Sequence, residues 1–377
     1  CIRDRNETLG VYEYVQGDNS LLILLYGIAV LFICAAFICV WAGAVKSAYQ
    51  AQVCIEKNKP VTTFAEDIKS LFDKNLHKLL LTLPVGGILI FTILPLIFMI
   101  AMAFTNYSKV NSHLVLFDWV GLENFRQMFD VSGTFGKTFW SVLGWTIVWA
   151  VFATGLNYIL GMLLALLINR KGTKIKGFWR LIFILSIAIP QFVSLLVMRS
   201  MLSQDGIINV MLKNAGWIQK SLPFFSNVAW ARITVIVVNL WIGIPYTMMQ
   251  VTGILQNIPL ELYEAAEVDG AGPVIRFFKI TLPYMLFVTT PYLITTFTAN
   301  INNFNIVYLL TKGDPVLSGN TAGKTDLLVT WLYKMTVDYQ YYNLGAVIGI
   351  MTFVFLAIGS LLVYRRTKSY KDEEGFQ

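Results

Sequence analysis

Long apolar runs separated by polar stretches dominate the sequence. A helix needs about 20 mostly apolar residues to cross the hydrocarbon core of a bilayer. Seven runs reach that length, at residues 21–45, 79–104, 139–168, 178–202, 228–253, 284–305 and 343–364. Their length and spacing predict an all-α polytopic membrane protein.

Composition supports the same class. Of the 377 residues, 56% are hydrophobic and 14% are charged, whereas soluble domains carry about 25% charged residues. The formal net charge is +7, and the basic residues cluster beside the apolar runs. That placement indicates a lipid bilayer as the surrounding phase and excludes a nucleic-acid-binding interpretation.

Basic residues also orient the predicted spans. Lysine and arginine accumulate in cytoplasmic loops, and segments 46–78, 169–177 and 365–377 are the basic ones. Counting seven spans puts these segments on one side, together with the central polar loop 254–283. The same count places Cys1 outside, so we expect a further span upstream of it, which would put both ends in the cytoplasm.

The central loop has the signals of a helix, a turn and a second helix. Pro259 suits a first helical position, Gly270 suits a left-handed stop, and Pro273 can begin the second helix. Pro283 is predicted to end it. Leu262, Ala265 and Ala266 share one face by their spacing, and the two alanines let another protein approach the backbone closely.

This loop resembles the EAA loop of ABC importer permeases. The resemblance rests on Glu264-Ala265-Ala266, on Gly270, and on Ile280-x-Leu282-Pro283. In that family the loop forms a coupling helix that docks into a cleft of the cytoplasmic ATPase subunit. The implied ATPase-coupling residues are Glu264, Ala265, Ala266, Asp269 and Gly270.

Further motifs narrow the resemblance to the MalF-type permease subunits of maltose and maltodextrin importers. They are Trp241-Ile-Gly-Ile-Pro-Tyr246, Asp269-Gly-Ala-Gly-Pro273, Phe277-Phe-Lys-Ile-Thr-Leu-Pro283, Asn302-Asn-Phe304, Leu309-Leu-Thr311 and Thr325-Asp-Leu-Leu-Val329.

The resemblance implies a type I, MetI-like transmembrane domain with a six-helix core at 79–364. Segment 1–78 would add the accessory span 21–45 and a cytoplasmic linker, and 365–377 would be a basic cytoplasmic tail. Some relatives carry a large extracellular domain after the first core span, and residues 105–138 are too few to hold one.

Polar residues inside the run at 284–305 suggest a functional surface. Thr296, Asn300 and Asn303 are spaced to share one stripe of a helix. An unpaired amide in hydrocarbon costs several kcal/mol, so these side chains are expected to face other helices or a cavity. Two interpretations stay open here, namely hydrogen bonds between helices and the lining of a polar ligand site.

The MalF-type resemblance implies specific substrate-binding positions. They are Gln191, Ile242, Gly243, Tyr246, Thr296, Asn300, Asn303 and Asn305. Ile187 and Ala299 align with the same site. In the family's maltose permease, the matches to Ile187, Gln191, Ala299 and Asn305 are tyrosine, serine, phenylalanine and valine. The implied pocket therefore loses two aromatic rings and gains amides.

Several chemistries are disfavoured by the sequence. Gly319 to Thr325 resembles a phosphate-binding P-loop but has three residues between its glycines, where the P-loop needs four. No catalytic constellation or metal-ligand spacing is found, so no catalytic or metal residues are predicted and the chain is not expected to be an enzyme. Arg199 and Arg232 are interpreted as interfacial anchors, and buried carboxylates typical of ion-coupled carriers are few.

The function predicted from the resemblance is the permease subunit of an ATP-driven importer for maltose, maltodextrin or a related oligosaccharide. The implied partners are a second homologous permease subunit, two cytoplasmic ATPase subunits and an extracellular solute-binding protein, in a prokaryotic cell membrane. The chain itself would bind no cofactor, since the ATPase subunits use ATP and Mg²⁺. The alternatives are a raffinose-type permease, an ion-coupled secondary sugar carrier and a membrane scaffold without a transport role.

Overall fold

The computed structural model describes the chain except for residues 1, 7–10, 16–19, 62, 111–112, 115–117, 171 and 367–377. It divides into two compact units, Cys1–Asn124 and Phe125–Gln377. Among the described residues, six helices are long and apolar enough to cross a membrane, and one strongly bent helix pair can count as a seventh span. The predicted polytopic helical class is confirmed. The predicted domain boundary at residue 79 stays a prediction.

The first unit contains one very long helix and a proline-interrupted one. In chain order its elements are β1 (Ile2–Asn6), β2 (Val11–Val15), α1 (Ser20–Glu56), α2 (Phe64–Leu71), α3 (Leu76–Ile88), α4 (Leu94–Ala103), β3 (Lys109–Val110) and β4 (His113–Leu114). The strands form two antiparallel pairs, β1 with β2 and β3 with β4. Thr63 and Glu66 form a capping box that fixes the start of α2.

The second unit carries the remaining spans. Helix α5 (Glu123–Phe129) crosses the boundary between the units. It is followed by α6 (Thr134–Asn169), α7 (Lys176–Ala188), α8 (Gln191–Met201), α9 (Ile207–Asn214), α10 (Val228–Leu255), α11 (Leu260–Val268), α12 (Pro273–Arg276), α13 (Leu282–Ile301), α14 (Phe304–Leu310), α15 (Leu328–Tyr333) and α16 (Tyr342–Arg366).

Two prolines are accommodated by π-helical turns, which keep the chain helical. Leu89–Ile93 is a π-helical turn two residues before Pro95, and Phe277–Thr281 is another two residues before Pro283. A proline removes one backbone donor and crowds the preceding turn, and a π turn re-routes the hydrogen bonds around it. Pro283 was expected to end the second short helix of the central loop. That expectation is wrong, because helical structure continues from Pro273 through Pro283 to Ile301.

Pro190 breaks the span predicted at 178–202. Helices α7 and α8 are bent by 86° relative to each other across the break. A proline pushes the residue before it out of the helical region, and Ile189 is extended, with φ −79° and ψ 126°. The single span expected from apolar length is therefore two helices in the structure. By contrast, α10 continues as a helix through Pro245.

The core of the second unit is built on α6 and α10 and has two parts. One cluster surrounds Trp149 and Val238, and the other surrounds Met162 and Met248. Small residues bring the two helices close together, because a Cβ on Gly161 would lie 2.7 Å from the Cβ of Thr247. Close approach at small residues is the usual way in which helices pack in membranes.

The loop between α14 and α15 is held against the N-terminal halves of α6 and α10. Trp145 donates its indole N–H to the Thr325 carbonyl at 3.2 Å, and Arg232 donates from Nε to the Lys324 carbonyl at 3.0 Å. The Arg232 guanidinium also lies over the Trp145 ring at 4.3 Å. Arg232 was expected to be an interfacial anchor. In the structure its side chain is partly buried and binds this loop.

Candidate functional site

A cavity of about 360 Å³ lies between α6, α7, α8, α10 and α13, in the volume range typical of ligand pockets. On α6 and α10 its lining falls between the two core clusters. Between α7 and α8 the lining includes Ile189 and Pro190, the two residues at the break. Irregular backbone inside a membrane is tolerated where it lines a cavity, since its free carbonyls then have polar neighbours. The break therefore makes this place suitable for a polar ligand.

The cavity wall is polar but uncharged. None of the described lining residues is Asp, Glu, Lys, Arg or His. Its hydroxyl and amide side chains are Thr154, Asn157, Tyr158, Ser186, Gln191, Ser194, Asn239, Tyr246, Thr247, Tyr292, Thr296 and Asn300. Hydroxyls and amides donate and accept hydrogen bonds without requiring a counter-charge, so the wall is suited to a neutral ligand with many hydroxyl groups.

Six of the eight predicted substrate positions line this cavity. Gln191 follows the proline break, Ile242, Gly243 and Tyr246 come from α10, and Thr296 and Asn300 come from α13. Ile187, which aligns with the same site, also contributes. The aromatic side chain of Tyr246 is 53% exposed, so its ring is available to pack against a ligand in the cavity.

Asn303 and Asn305 lie outside the lining. The predicted stripe assumed one helix across 284–305, but α13 ends at Ile301. Asn303 is the N-cap of α14, and its side-chain oxygen accepts from the Ile306 N–H at 3.4 Å. Asn305 lies within α14. Of the three residues in the predicted stripe, only Thr296 and Asn300 therefore lie on the same helix.

Asn300 forms hydrogen bonds with two residues of α6. Its Nδ2 donates to the Thr154 hydroxyl at 3.0 Å, and its carbonyl accepts from the indole N–H of Trp149 at 3.0 Å. The side chain is buried, with 7% exposure. The interhelical interpretation is therefore confirmed for Asn300. Asn300 also lines the cavity, and its contact with a ligand stays a prediction.

Sequence reasoning missed the contribution of α6 and part of that of α10. Thr154, Asn157 and Tyr158 come from α6, and Asn239 and Thr247 come from α10. Tyr158 also contacts the Thr289 hydroxyl at 2.7 Å. The available signal was the presence of an amide within each otherwise apolar run, because a buried amide needs partners.

The central loop has the shape that the sequence predicted at its turn. Gly270 has φ +75°, and the Gly270 and Ala271 N–H groups donate to the carbonyls of Glu267 and Ala266. This is the Schellman arrangement that ends a helix. Tyr263 fastens α11 to the following π turn through its hydroxyl, 2.9 Å from that of Thr281.

Most residues of the central loop that were predicted to couple to an ATPase are exposed to solvent. Glu264, Ala265, Asp269 and Gly270 are exposed, and Ala266 is partly exposed. Large apolar side chains are exposed beside them, at Leu260, Leu262, Val268, Val274, Ile275 and Phe278. Large apolar side chains exposed together on one polar loop are typical of an interaction site.

Residues 157–369 match the family described as binding-protein-dependent transport system inner membrane component. The galactooligosaccharides transport system permease protein GanP of Bacillus subtilis (strain 168) is 37% identical over 362 residues, which cover 95% of this chain and 86% of that protein. The maltodextrin transport system permease protein MdxF of the same strain is 34% identical over 376 residues, which cover 95% and 84%.

A solved structure shares the fold. It is a bacterial alginate ABC transporter in complex with an alginate pentasaccharide-bound periplasmic protein, and it matches with a TM-score of 0.64 at 21% identity, covering 82% of this chain and 98% of that one.

Proposed function

Because the chain belongs to the family of binding-protein-dependent transport system inner membrane components, we propose that it is the permease subunit of an ATP-driven importer for neutral oligosaccharides. Maltodextrins and galactooligosaccharides are the substrate classes that the relatives' names suggest. The observation that carries the proposal is the uncharged cavity of hydroxyl and amide groups at the break of a membrane span.

The chemistry of the wall favours a sugar over an ionic ligand. A carboxylate or an ammonium group in this cavity would lose its hydration without meeting an opposite charge, which is strongly unfavourable in a site of low dielectric. Sugar hydroxyls exchange water for amides and hydroxyls at little net cost. Gln191, Tyr246, Thr296 and Asn300 are the predicted substrate contacts within this wall.

The exposed central loop is the proposed contact for the ATPase. Its apolar side chains and the small residues Ala265 and Ala266 provide a surface onto which a complementary cleft can close. Two ATPase subunits would hydrolyse ATP with Mg²⁺, a second permease subunit would complete the pathway, and an extracellular binding protein would deliver the sugar. In this arrangement the chain binds no cofactor and catalyses no reaction of its own.

Uptake by proteoliposomes tests the proposal. The vesicles would contain this chain, its second permease subunit and the ATPase subunits, with the binding protein outside and ATP and Mg²⁺ on the ATPase side. Labelled maltotriose and a galactotriose are the substrates, and raffinose serves as a third. We expect uptake of at least one of the first two sugars that requires ATP and persists with a proton ionophore.

One result would overturn the proposed importer, and another would change only its substrate class. Uptake that is abolished by the ionophore and independent of ATP would indicate an ion-coupled carrier. Uptake of raffinose alone would retain the importer and replace the substrate class.

A further inference from the structure

Helix α2, in the linker between two membrane spans, is amphipathic. Phe64, Ile68 and Leu71 are spaced to share one side of the helix, and Phe72, which directly follows α2, continues that side. We call these four residues the apolar face of α2. The polar residues of the helix occupy the rest of its circumference, and they are Glu66, Asp67, Lys69 and Ser70.

The apolar face of α2 is left open by the part of the chain that the structure describes. Phe64 is 81% exposed, Phe72 67%, Ile68 42% and Leu71 40%, and no residue of α2 is buried. Apolar side chains gain free energy when they leave water. A face with two phenylalanine rings in the open therefore indicates a further apolar surface that covers it.

A tight turn holds the end of α2 next to a membrane span. The Asn75 N–H donates to the Ser70 carbonyl at 2.7 Å, and the Asn75 Nδ2 donates to the Ser70 hydroxyl at 3.2 Å. Leu76, the next residue, begins α3. The span from Leu76 to Ala103 is only 6% buried in its most apolar stretch, so most of its surface is left for lipid. The apolar face of α2 thus lies one turn away from a lipid-facing surface.

The connection to the preceding span also permits α2 to lie on the bilayer. Helix α1 has 37 residues, which is about 55 Å at about 1.5 Å per residue, and the hydrocarbon core is about 30 Å thick. The apolar run at 21–45 crosses the core, so residues 46–56 project from it by about 16 Å. Residues 57–63 can span about 25 Å when extended, which is enough to return the chain to the membrane surface.

Net charge gives this segment no attraction to anionic lipid. Residues 64–78 carry three acidic and three basic side chains, which are Glu66, Asp67, Asp73, Lys69, Lys74 and Lys78. Basic helices and polybasic segments bind anionic membranes through an excess of positive charge, and this segment has no such excess. Attraction of α2 to a bilayer therefore depends on its apolar face.

We propose that α2 is an interfacial helix whose apolar face is inserted into the cytoplasmic surface of the bilayer. Part of the predicted cytoplasmic linker is then bound to lipid. A helix of this kind lies in the plane of the interface, with its apolar side about 5–10 Å into the boundary between headgroups and acyl chains. The capping box of Thr63 and Glu66 stabilises the helical turn that presents Phe64. The contact depends on the membrane location of the chain and not on which sugar it carries.

Spin labels on adjacent residues of α2 test the contact. The label is attached to Ile68→Cys or to Lys69→Cys in assembled complexes whose native cysteines are replaced by alanine. These two positions are a matched pair, because one step along a helix turns the side chain by about 100°. Leu83→Cys in α3, where the native side chain is 84% exposed, gives the signal of a residue that faces lipid.

The complexes are placed in vesicles of phosphatidylcholine, or of phosphatidylethanolamine with phosphatidylglycerol. Electron paramagnetic resonance then measures the accessibility of each label to oxygen, which concentrates in the bilayer, and to a nickel chelate, which stays in water. We expect a higher ratio of oxygen to nickel accessibility at Ile68 than at Lys69, and a value at Phe64→Cys that follows Ile68. The difference should be present in both kinds of vesicle and should persist at high salt, because the apolar face supplies the attraction.

Removing the rings should release the helix. In a background of Phe64→Ser and Phe72→Ser, the ratio at Ile68 should fall toward that at Lys69, while the ratio at Leu83 stays unchanged. An unchanged ratio at Ile68 in this background would show that the phenylalanines do not hold α2 on the bilayer, and would overturn the inference.

Three further outcomes would also overturn it. High nickel accessibility at both Ile68 and Lys69 would place the apolar face in water. A label at Ile68 that is shielded from both reagents with the ATPase subunits present, and reached by nickel without them, would assign the face to a protein partner. A difference that requires phosphatidylglycerol and disappears at high salt would assign the contact to charge. Since none of these measurements uses transport, complexes that import none of the tested sugars would overturn the proposed function and leave this result intact.

Discussion

Gly161 of α6 faces Thr247 of α10 so closely that a side chain on the glycine has no room. A Cβ at position 161 would lie 2.7 Å from the Thr247 Cβ and 2.8 Å from its Cγ2. Thr247 also lines the cavity. The separation of the two central helices and the width of the cavity are therefore set at the same contact.

Gly161→Ala should separate α6 from α10. Overpacking a close contact costs about 1–3 kcal/mol, so the Tm of the purified complex should fall. Gly155→Ala on the same helix is the matched control, because nothing lies within 4 Å of a Cβ there. That variant should keep its Tm or gain slightly from helix propensity. Equal stability of the two variants would contradict the close contact.

Asp326, in the loop between α14 and α15, forms an ion pair with Lys334, which directly follows α15. The Lys334 ammonium lies 2.6 Å from the Asp326 Oδ2, and their side chains are 11% and 0% exposed. Burial raises the pKa of the Asp326 carboxyl, and the Lys334 ammonium, with donors from Gly323 and Thr330, acts in the opposite direction. These donors bind the Asp326 carboxylate and so connect the loop to α15 and to Lys334.

Asp326→Asn should therefore be strongly destabilising. It leaves a nearly buried ammonium without its counter-charge, which costs about 3–5 kcal/mol. The exposed pair between Arg276 and Glu267, at 3.0 Å with Glu267 72% exposed, is the control, and Glu267→Gln should cost about 0–1 kcal/mol. Thermal unfolding of detergent-purified complexes measures both. A small effect of Asp326→Asn would show that Lys334 finds another acceptor or water.

Asn303 is predicted to act as a helix cap. Asn303→Ala should destabilise α14 by about 1 kcal/mol, the usual cost of a lost N-cap, and should lower the Tm. Asn303→Asp keeps the capping oxygen and should restore the Tm and uptake together. If Asn303→Asp restores the Tm but not uptake, the Nδ2 donor is needed by the ligand and the sequence-based assignment of Asn303 to the substrate site is retained.

Local chemistry explains what could be predicted from the sequence. Apolar length alone predicts the spans, and Pro190 predicts the break because a proline acts on its immediate neighbours. Gly270 predicts the turn of the central loop for the same reason. Each of these features depends on a few consecutive residues.

The parts that could not be predicted depend on packing. The end of α13 at Ile301 lies at a place with no proline or glycine, where the side chain of Asn303 caps the next helix instead. Asn157 and Asn239 reach the cavity only because α6 and α10 are rotated and spaced as Gly161 and Gly243 allow. Rotation about a helix axis is set by the neighbouring helices, so it is not visible in either helix's own sequence.

Ala265→Asp should uncouple the chain from its ATPase. Ala265 is exposed on the central loop, and a carboxylate buried there on docking would lose its hydration without a partner. We expect normal membrane insertion but loss of ATPase co-purification and of sugar-stimulated ATP hydrolysis. Ala265→Ser is the control, since it adds a small group that can hydrogen-bond. Full coupling in the Ala265→Asp variant would exclude close docking at this face.

Asn300 and Thr154 allow the two roles of a cavity amide to be separated. The Asn300 Nδ2 donates to the Thr154 hydroxyl at 3.0 Å, and both residues line the cavity. Asn300→Ala should lower the free energy of unfolding by about 1–3 kcal/mol, because it breaks this bond and leaves the Thr154 hydroxyl without its donor. Thr154→Val removes the other half of the same bond while Asn300 keeps its amide.

A double-mutant cycle then decides between the roles, because coupling within a contacting pair appears as non-additivity. If Asn300 only joins α13 to α6, Asn300→Ala should cause no further loss of uptake once Thr154 is valine. If its amide also binds the sugar, uptake should fall again, by about 2- to 13-fold for one net hydrogen bond. We expect the second result, because in the Thr154→Val background the Nδ2 is freed toward a cavity whose wall is otherwise suited to hydroxyl groups. The cycle compares the wild type, the two single variants and the double variant. If uptake falls only in proportion to the Tm across these four proteins, Asn300 acts in helix packing alone.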